Sequence, residues 1–161
     1  MKAEPQKEHR WLEQLLGEWT VTSDMSGESS DNGDAEWIEQ VRSLHGLWIV
    51  AEGKGEMPGG GAATTLMTLG YDPRRQCFVG TWVGSMMTHM WVYEGSLDDS
   101  GKVLTLDCEG LDFETEGRMT RYQDIITLKD ADHRLLTARM LANDGTWKQI
   151  MQADYRRRAI S

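Results

Sequence analysis

Hydrophobic and polar positions recur with two different periods along this chain. In residues 7–16, KEHRWLEQLL, the apolar residues Trp11, Leu12, Leu15 and Leu16 fall at i, i+1, i+4 and i+5. That spacing predicts one face of a short helix, and Gly17 ends it. From there the period is two. Residues 18–25, EWTVTSDM, set Trp19, Val21, Ser23 and Met25 against Glu18, Thr20, Thr22 and Asp24. Similar runs at 36–45, 47–56, 64–71, 76–83, 87–95, 102–109, 118–129, 133–142 and 146–157 predict further strands. The breaks carry turn chemistry: SGESSDNGD, His45-Gly46, Pro58 with three glycines behind it, Asp72-Pro73, Asp98 to Gly101, Asp130 to Asp132, and Asn143-Asp144-Gly145. No second helical pattern occurs, which argues against βαβ architectures. About ten short antiparallel strands in succession predict an all-β, up-and-down barrel, because closure removes exposed sheet edges. The expected organisation is a single domain over 1–161, with the helix at 7–16 and the barrel at 17–158.

Alternation also assigns faces. In the last strand Trp147, Gln149, Met151, Ala153, Tyr155 and Arg157 share the less polar face and are expected inside. Leu136, Ala138 and Met140 are expected inside on the strand before it. Tyr122, Asp124, Ile126 and Leu128 share the apolar face of 118–129, which makes Asp124 an inward carboxylate. Leu104, Leu106 and Cys108 complete the inner wall there. The stretch FVGTWVGSMMTHMWVYEG, 78–95, is apolar on both faces. Trp82, His89, Trp91 and Tyr93 are assigned inward; the outer face then needs a cover, either the N-terminal helix or a second copy of the chain in a homodimer. The register of 36–56 stays open, with Trp37, Val41 and Trp48 competing against Ile38, Leu44 and Ile49 for the interior.

Charge narrows the partners. The net charge is −9 and the only basic cluster is Arg156-Arg157-Arg158, so nucleic acid is not an expected partner. No uninterrupted apolar run reaches the ~20 residues of a membrane helix. The charged start, MKAEPQKEHRW, predicts no signal peptide. Cys77 and Cys108 form no C-x-x-C pair and are expected to be free thiols in a reducing, cytoplasmic setting.

Gly17-Glu18-Trp19 at the first strand and Tyr155-Arg156-Arg157-Arg158 at the last resemble the ends of calycin barrels, the lipocalins and fatty-acid-binding proteins. The resemblance implies that Arg157 packs across Trp19, an arrangement that cation–π attraction favours. GYDPRRQCFVGTWVGSM followed by GSLDDSGKVLTLDCEG is similar to the bacterial domain of unknown function 1579 family, over Trp11 to Arg157. That resemblance implies a calycin-like barrel and no particular activity. The R-x-Y pair that holds fatty-acid carboxylates is missing, since the last strand reads DYRRR. The G-x-W-x-G-x-G of nitrobindin-type haem barrels is also missing, since the chain reads GEWTVTS.

The candidate ligand-binding set is Trp82, His89, Trp91, Tyr93, Tyr122, Asp124, Met140, Trp147 and Gln149, with Trp19 and Arg157 structural. Aromatic and methionine walls with few polar groups suit a small, mostly apolar ligand, or a packed core. The alternatives are an enzyme using His89 or Asp124 as acid–base group, with His89 as the iron ligand in a haem version, and an assembly module with a packed barrel. No metal-ligand spacing, P-loop or G-x-S-x-G occurs, so no catalytic residue, metal or cofactor is assigned.

Overall fold

The computed structural model describes residues 3–25, 36–57 and 59–159. The predicted loop SGESSDNGD and Pro58 lie outside the described residues. Helix α1 (Lys7–Trp11) runs into a 3-10 turn, Leu12–Leu15. Ten strands follow: β1 (Gly17–Met25), β2 (Glu36–Leu44), β3 (Trp48–Glu56), β4 (Ala62–Asp72), β5 (Cys77–Gly84), β6 (Trp91–Leu97), β7 (Val103–Leu111), β8 (Met119–Asp130), β9 (His133–Leu141) and β10 (Trp147–Arg157). Each pairs antiparallel with its chain neighbour, and β1 pairs with β10, so the sheet is a closed ten-stranded barrel. The expected all-β barrel with one short N-terminal helix is the observed architecture.

The helix seals one end. Leu12 and Leu15 are buried beneath the barrel with Trp19, each worth roughly 1.5–3 kcal/mol on transfer from water. Three side chains fix the helix to the turns at that end. Trp11 Nε1 donates to the Gly101 carbonyl at 2.6 Å. His9 Nε2 donates to the Tyr71 carbonyl at 3.1 Å, while its Nδ1 accepts the Gln6 N–H at 2.9 Å. Trp19 Nε1 donates to the Leu15 carbonyl at 3.0 Å. The helix therefore closes the barrel end and does not lie over the outer face of 77–93, one of the two covers that the apolar pattern called for. Val83 and Val92 on that face remain exposed.

Arg157 completes the seal. Its guanidinium lies 4.3 Å from the Trp19 ring centroid. Its nitrogens donate to the carbonyls of Gln14 (3.0 Å), Ala131 (3.0 Å) and Leu16, so it caps backbone groups left open where the 3-10 turn ends. Gly17 makes room for it. Its φ is +116°, and a Cβ there would sit 2.6 Å from Arg157 Nη1.

Three departures from simple alternation matter inside. β6 begins at Trp91 rather than 87, because Ser85 Oγ accepts the Thr64 N–H (2.9 Å) and a turn closes from Met87 N–H to the Gly84 carbonyl (3.2 Å). β10 carries a bulge between Gln149 and Met151, which reverses the faces on either side of it. In β2 and β3 the register seats Trp37, Val41, Ile49 and Ala51 inside. Trp48 stays outside, its indole lying over Gly70.

Arg157→Ala is expected to lower unfolding free energy by about 3 kcal/mol, through the lost cation–π contact and the uncapped carbonyls. Arg157→Lys should recover only part of it, since an ammonium cannot reach three carbonyls at once. Urea denaturation followed by tryptophan fluorescence measures both; equal stability of all three proteins would contradict this account of the seal.

Candidate functional site

The interior is graded from packed to open. Near the helix-sealed end Trp19, Leu69, Phe78, Leu104 and Ile126 are at most 2% exposed. Further toward the open end, several inward positions retain surface. Register places Ser23, Trp37, Met67, Trp82, Asp124 and Met151 on the inner wall, and all six are only half-buried. Asp124 carries the most information, because it lies midway along β8, between Leu106 of β7 and Ala138 of β9. Its carboxyl is surrounded by protein closely enough that burial raises its pKa, yet the residue keeps accessible surface. It shares that residual surface with Ser23, Trp37, Met67, Trp82 and Met151 on the same inner wall.

Two inward carboxylates have different surroundings. Glu39 accepts a 2.8 Å bond from Arg134 Nη2, and both side chains are nearly inaccessible. The Arg134 guanidinium also stacks on Tyr155 (4.0 Å) and Trp19 (4.6 Å). Asp124 has no cation paired with it among the described residues. Its partner among the described residues is the Tyr93 hydroxyl, which donates to Oδ2 at 2.5 Å. Burial pushes the Asp124 carboxyl above the ordinary aspartate range, opposed by that bond. The Tyr93 phenol is held well above its usual value by burial and then by the Asp124 charge. Burial, followed by the Glu39 charge, raises Tyr155 as well, with Arg134 opposing. The Cys108 thiol is pushed up to about 12, first by burial and then by Asp124 and Asp107, so it is not a nucleophile at neutral pH.

The walls are aromatic. Trp91 meets Tyr122 edge-on at 4.9 Å, and its indole fills the space over Gly110, where a Cβ would lie 2.2 Å from the ring. Trp37 does the same over Gly55, at 2.5 Å. Two inner-wall glycines thus let tryptophans lie flat across the neighbouring strand.

Of the predicted set, Trp82, Trp91, Tyr93, Tyr122, Asp124 and Met140 face the interior. Tyr93, Tyr122 and Met140 are packed almost completely. His89, Trp147 and Gln149 do not face it. His89 precedes β6, in the connection that ends β5, and its Nε2 donates to the Glu109 carbonyl at 2.8 Å. That bond lies beyond the β6–β7 pairing, which stops at Glu94 and Asp107 although β6 begins at Trp91. The β10 bulge turns Trp147 and Gln149 outward, opposite Leu141 and Arg139, and Arg139 covers the Trp147 ring at 4.9 Å. An iron-ligand or acid–base role for His89 inside the barrel loses its geometry.

Sequence reasoning missed Glu39, Arg134 and Met67 and left Trp37 open, and register places all four inside. The parity of β9 was the available signal for Arg134, which shares a face with Leu136. Two open depressions of about 340 and 390 Å³ lie at the helix-sealed end, around Gln14 and Lys102 and around Gln6 and Pro73. Neither reaches Asp124. Among the described residues, no three metal-ligating side chains cluster and no helix is long and apolar enough to cross a membrane.

The family model described as "Protein of unknown function (DUF1579)" matches residues 4–157. No curated protein matches. Among solved structures, Rv2717c from M. tuberculosis superimposes with a TM-score of 0.60 at 14% identity, over 97% of this chain and 100% of that one. At that identity the likeness is one of fold. The redesigned barrel EF1p2_mFAP2b, bound to DFHBI, matches at 12% identity over 94% of this chain and 100% of its own, with a TM-score of 0.48, too low to carry an argument.

Ionisation of Asp124 should weaken the fold. Its folded pKa is raised, so the folded chain holds this proton more tightly than the unfolded chain. That contribution is complete below about pH 4 and is lost as pH rises through the folded value. Asp124→Asn is therefore expected to melt with the wild type in acid and above it at neutral pH. Thermal melts across that range check it; a wild type more stable than the variant at neutral pH would overturn the assignment.

Proposed function

This chain belongs to the DUF1579 family, proteins of unknown function, and from that footing we propose that it is a binding module taking one small, largely apolar molecule into the open half of its barrel. The observation that supports the reading is Asp124: a mid-barrel, inward side chain that is surrounded by protein and still retains accessible surface. A barrel filled solely for stability has no use for an unneutralised carboxylate at that depth. Trp37, Met67, Trp82 and Met151 offer apolar wall around it, and the polar groups are few, as in sites that orient a ligand rather than transform it. The free thiols Cys77 and Cys108 suit a reducing compartment, and the cytoplasm is the proposed location.

Native mass spectrometry of the purified protein, beside its denatured mass, tests this. The expected result is a mass excess that vanishes on denaturation, or that appears when the protein is incubated with small-molecule extracts. A clean mass under both conditions would favour a packed barrel.

A second reading concerns the outer surface. Val83, Val92, Leu111 and Met119 are 39–56% exposed on the outer faces of β5 to β8, toward the open end. Such a patch suits self-association into a homodimer. Sedimentation equilibrium is expected to give twice the chain mass, and Val92→Asp is expected to return it to one copy; a wild type that stays monomeric at high concentration would exclude the dimer.

A further inference from the structure

The charges inside the barrel select among ligands. The buried or inward ionisable groups are Glu39, Arg134 and Tyr155 near Trp19, and, further toward the open end, Asp124, the phenols of Tyr93 and Tyr122, the Cys108 thiol and Asp112 just after β7. The phenols and the thiol are neutral at ordinary pH, because burial raises each of them. Glu39 and Arg134 cancel. Arg157 lies at the sealed end with its guanidinium engaged by backbone carbonyls. Lys148, near the open rim, is bound to Glu114 at 2.8 Å. The balance is negative: Asp124 has a neutral hydroxyl for a partner, and Asp112, buried just after β7, has Arg118 only at 4.0 Å and an Oδ2 with no hydrogen-bond partner among the described residues.

We infer that the ligand is an organic ammonium cation on an apolar body, seated with its positive charge toward Asp124 and the aromatic wall. This rests on the reading of the barrel as a small-molecule binder and narrows it to one chemical class. A carboxylate ligand would bring a second negative charge beside Asp124, with the interior's guanidinium already paired. A wholly neutral ligand would strip water from Asp124 and return nothing for it. An ammonium neutralises the carboxyl and gains from indole faces and methionine sulfurs, here Trp37, Trp82, Trp91, Met67 and Met151. The net charge of −9 raises the concentration of cations at the surface. The raised aspartate pKa is consistent with a group that ionises fully when a cation arrives.

The test uses matched probes on the wild-type protein. Trimethylammonium cations with benzyl, hexyl or decyl tails are titrated by calorimetry and tryptophan quenching. Their neutral tert-butyl isosteres and the carboxylates with the same tails are titrated beside them. At least one cation is expected to bind at least about tenfold tighter than its isostere, with the carboxylate weakest. Acidification through the Asp124 titration should erase the preference. Asp124→Asn should erase it at neutral pH, with the cation binding more weakly and the isostere binding as well as before or better. Isosteres or carboxylates that bind as tightly as the cations would overturn the charge assignment and leave the small-molecule reading standing. Failure of all three classes to bind would remove both.

Discussion

Closure of the barrel depends on the packing of two guanidinium groups around the Trp19 indole. β1 and β10 are the first and last strands, and their pairing brings Trp19 beside Arg157. Arg157 lies over the ring and ties carbonyls from the 3-10 turn and from the β8–β9 turn to the same point. Arg134, one strand further round, touches the same indole and the Tyr155 ring. Delocalised cations bury here without a full desolvation penalty, because aromatic faces, carbonyls and Glu39 replace their water. The helix end, the barrel seam and the lowest layer of the interior are joined in one cluster. With one end sealed in this way, the inward positions that keep accessible surface lie toward the other.

The interior then treats Glu39 and Asp124 differently. Glu39 lies in the seal and is matched with an arginine at 2.8 Å, so it reads as structure. Asp124 lies above it, held by a phenol alone. Burial raises its pKa, so its ionised form is destabilising, with only the Tyr93 hydroxyl bond opposing the shift. Groups of this kind recur where a ligand supplies the missing charge. Closure thus rests on paired charges, while Asp124 is held by a neutral partner.

Most of the architecture was legible in the alternation. Strands β7, β8 and β9 have long two-residue periods with strong contrast between faces, and Leu104, Leu106, Tyr122, Leu136 and Met140 lie inside as their parity requires. Three places were not legible. In β2 and β3 apolar residues occupy both faces, so parity had no contrast to read; Trp37 is inside because Gly55 on the neighbouring strand leaves room for its ring. In β10 one extra residue at the bulge reversed the face of Trp147 and Gln149, and a bulge has no reliable signature in a run of mixed polarity. At His89 the strand had not begun, because Ser85 was drawn into a bond with the β4 backbone.

The sequence by itself determined the class of fold, the number of strands, the short helix and most of the inward residues, since these follow from local periodicity and turn chemistry. It also marked Trp19, Arg157 and Asp124 as residues to watch. Only the tertiary structure decided what each inward charge meets. Glu39 finds Arg134 from 95 residues away, and Asp124 finds Tyr93 across 31 residues of chain. Such pairings depend on register and closure, which are set by all the strands at once. No local pattern in the sequence distinguishes a carboxylate that meets an arginine from one that meets a phenol.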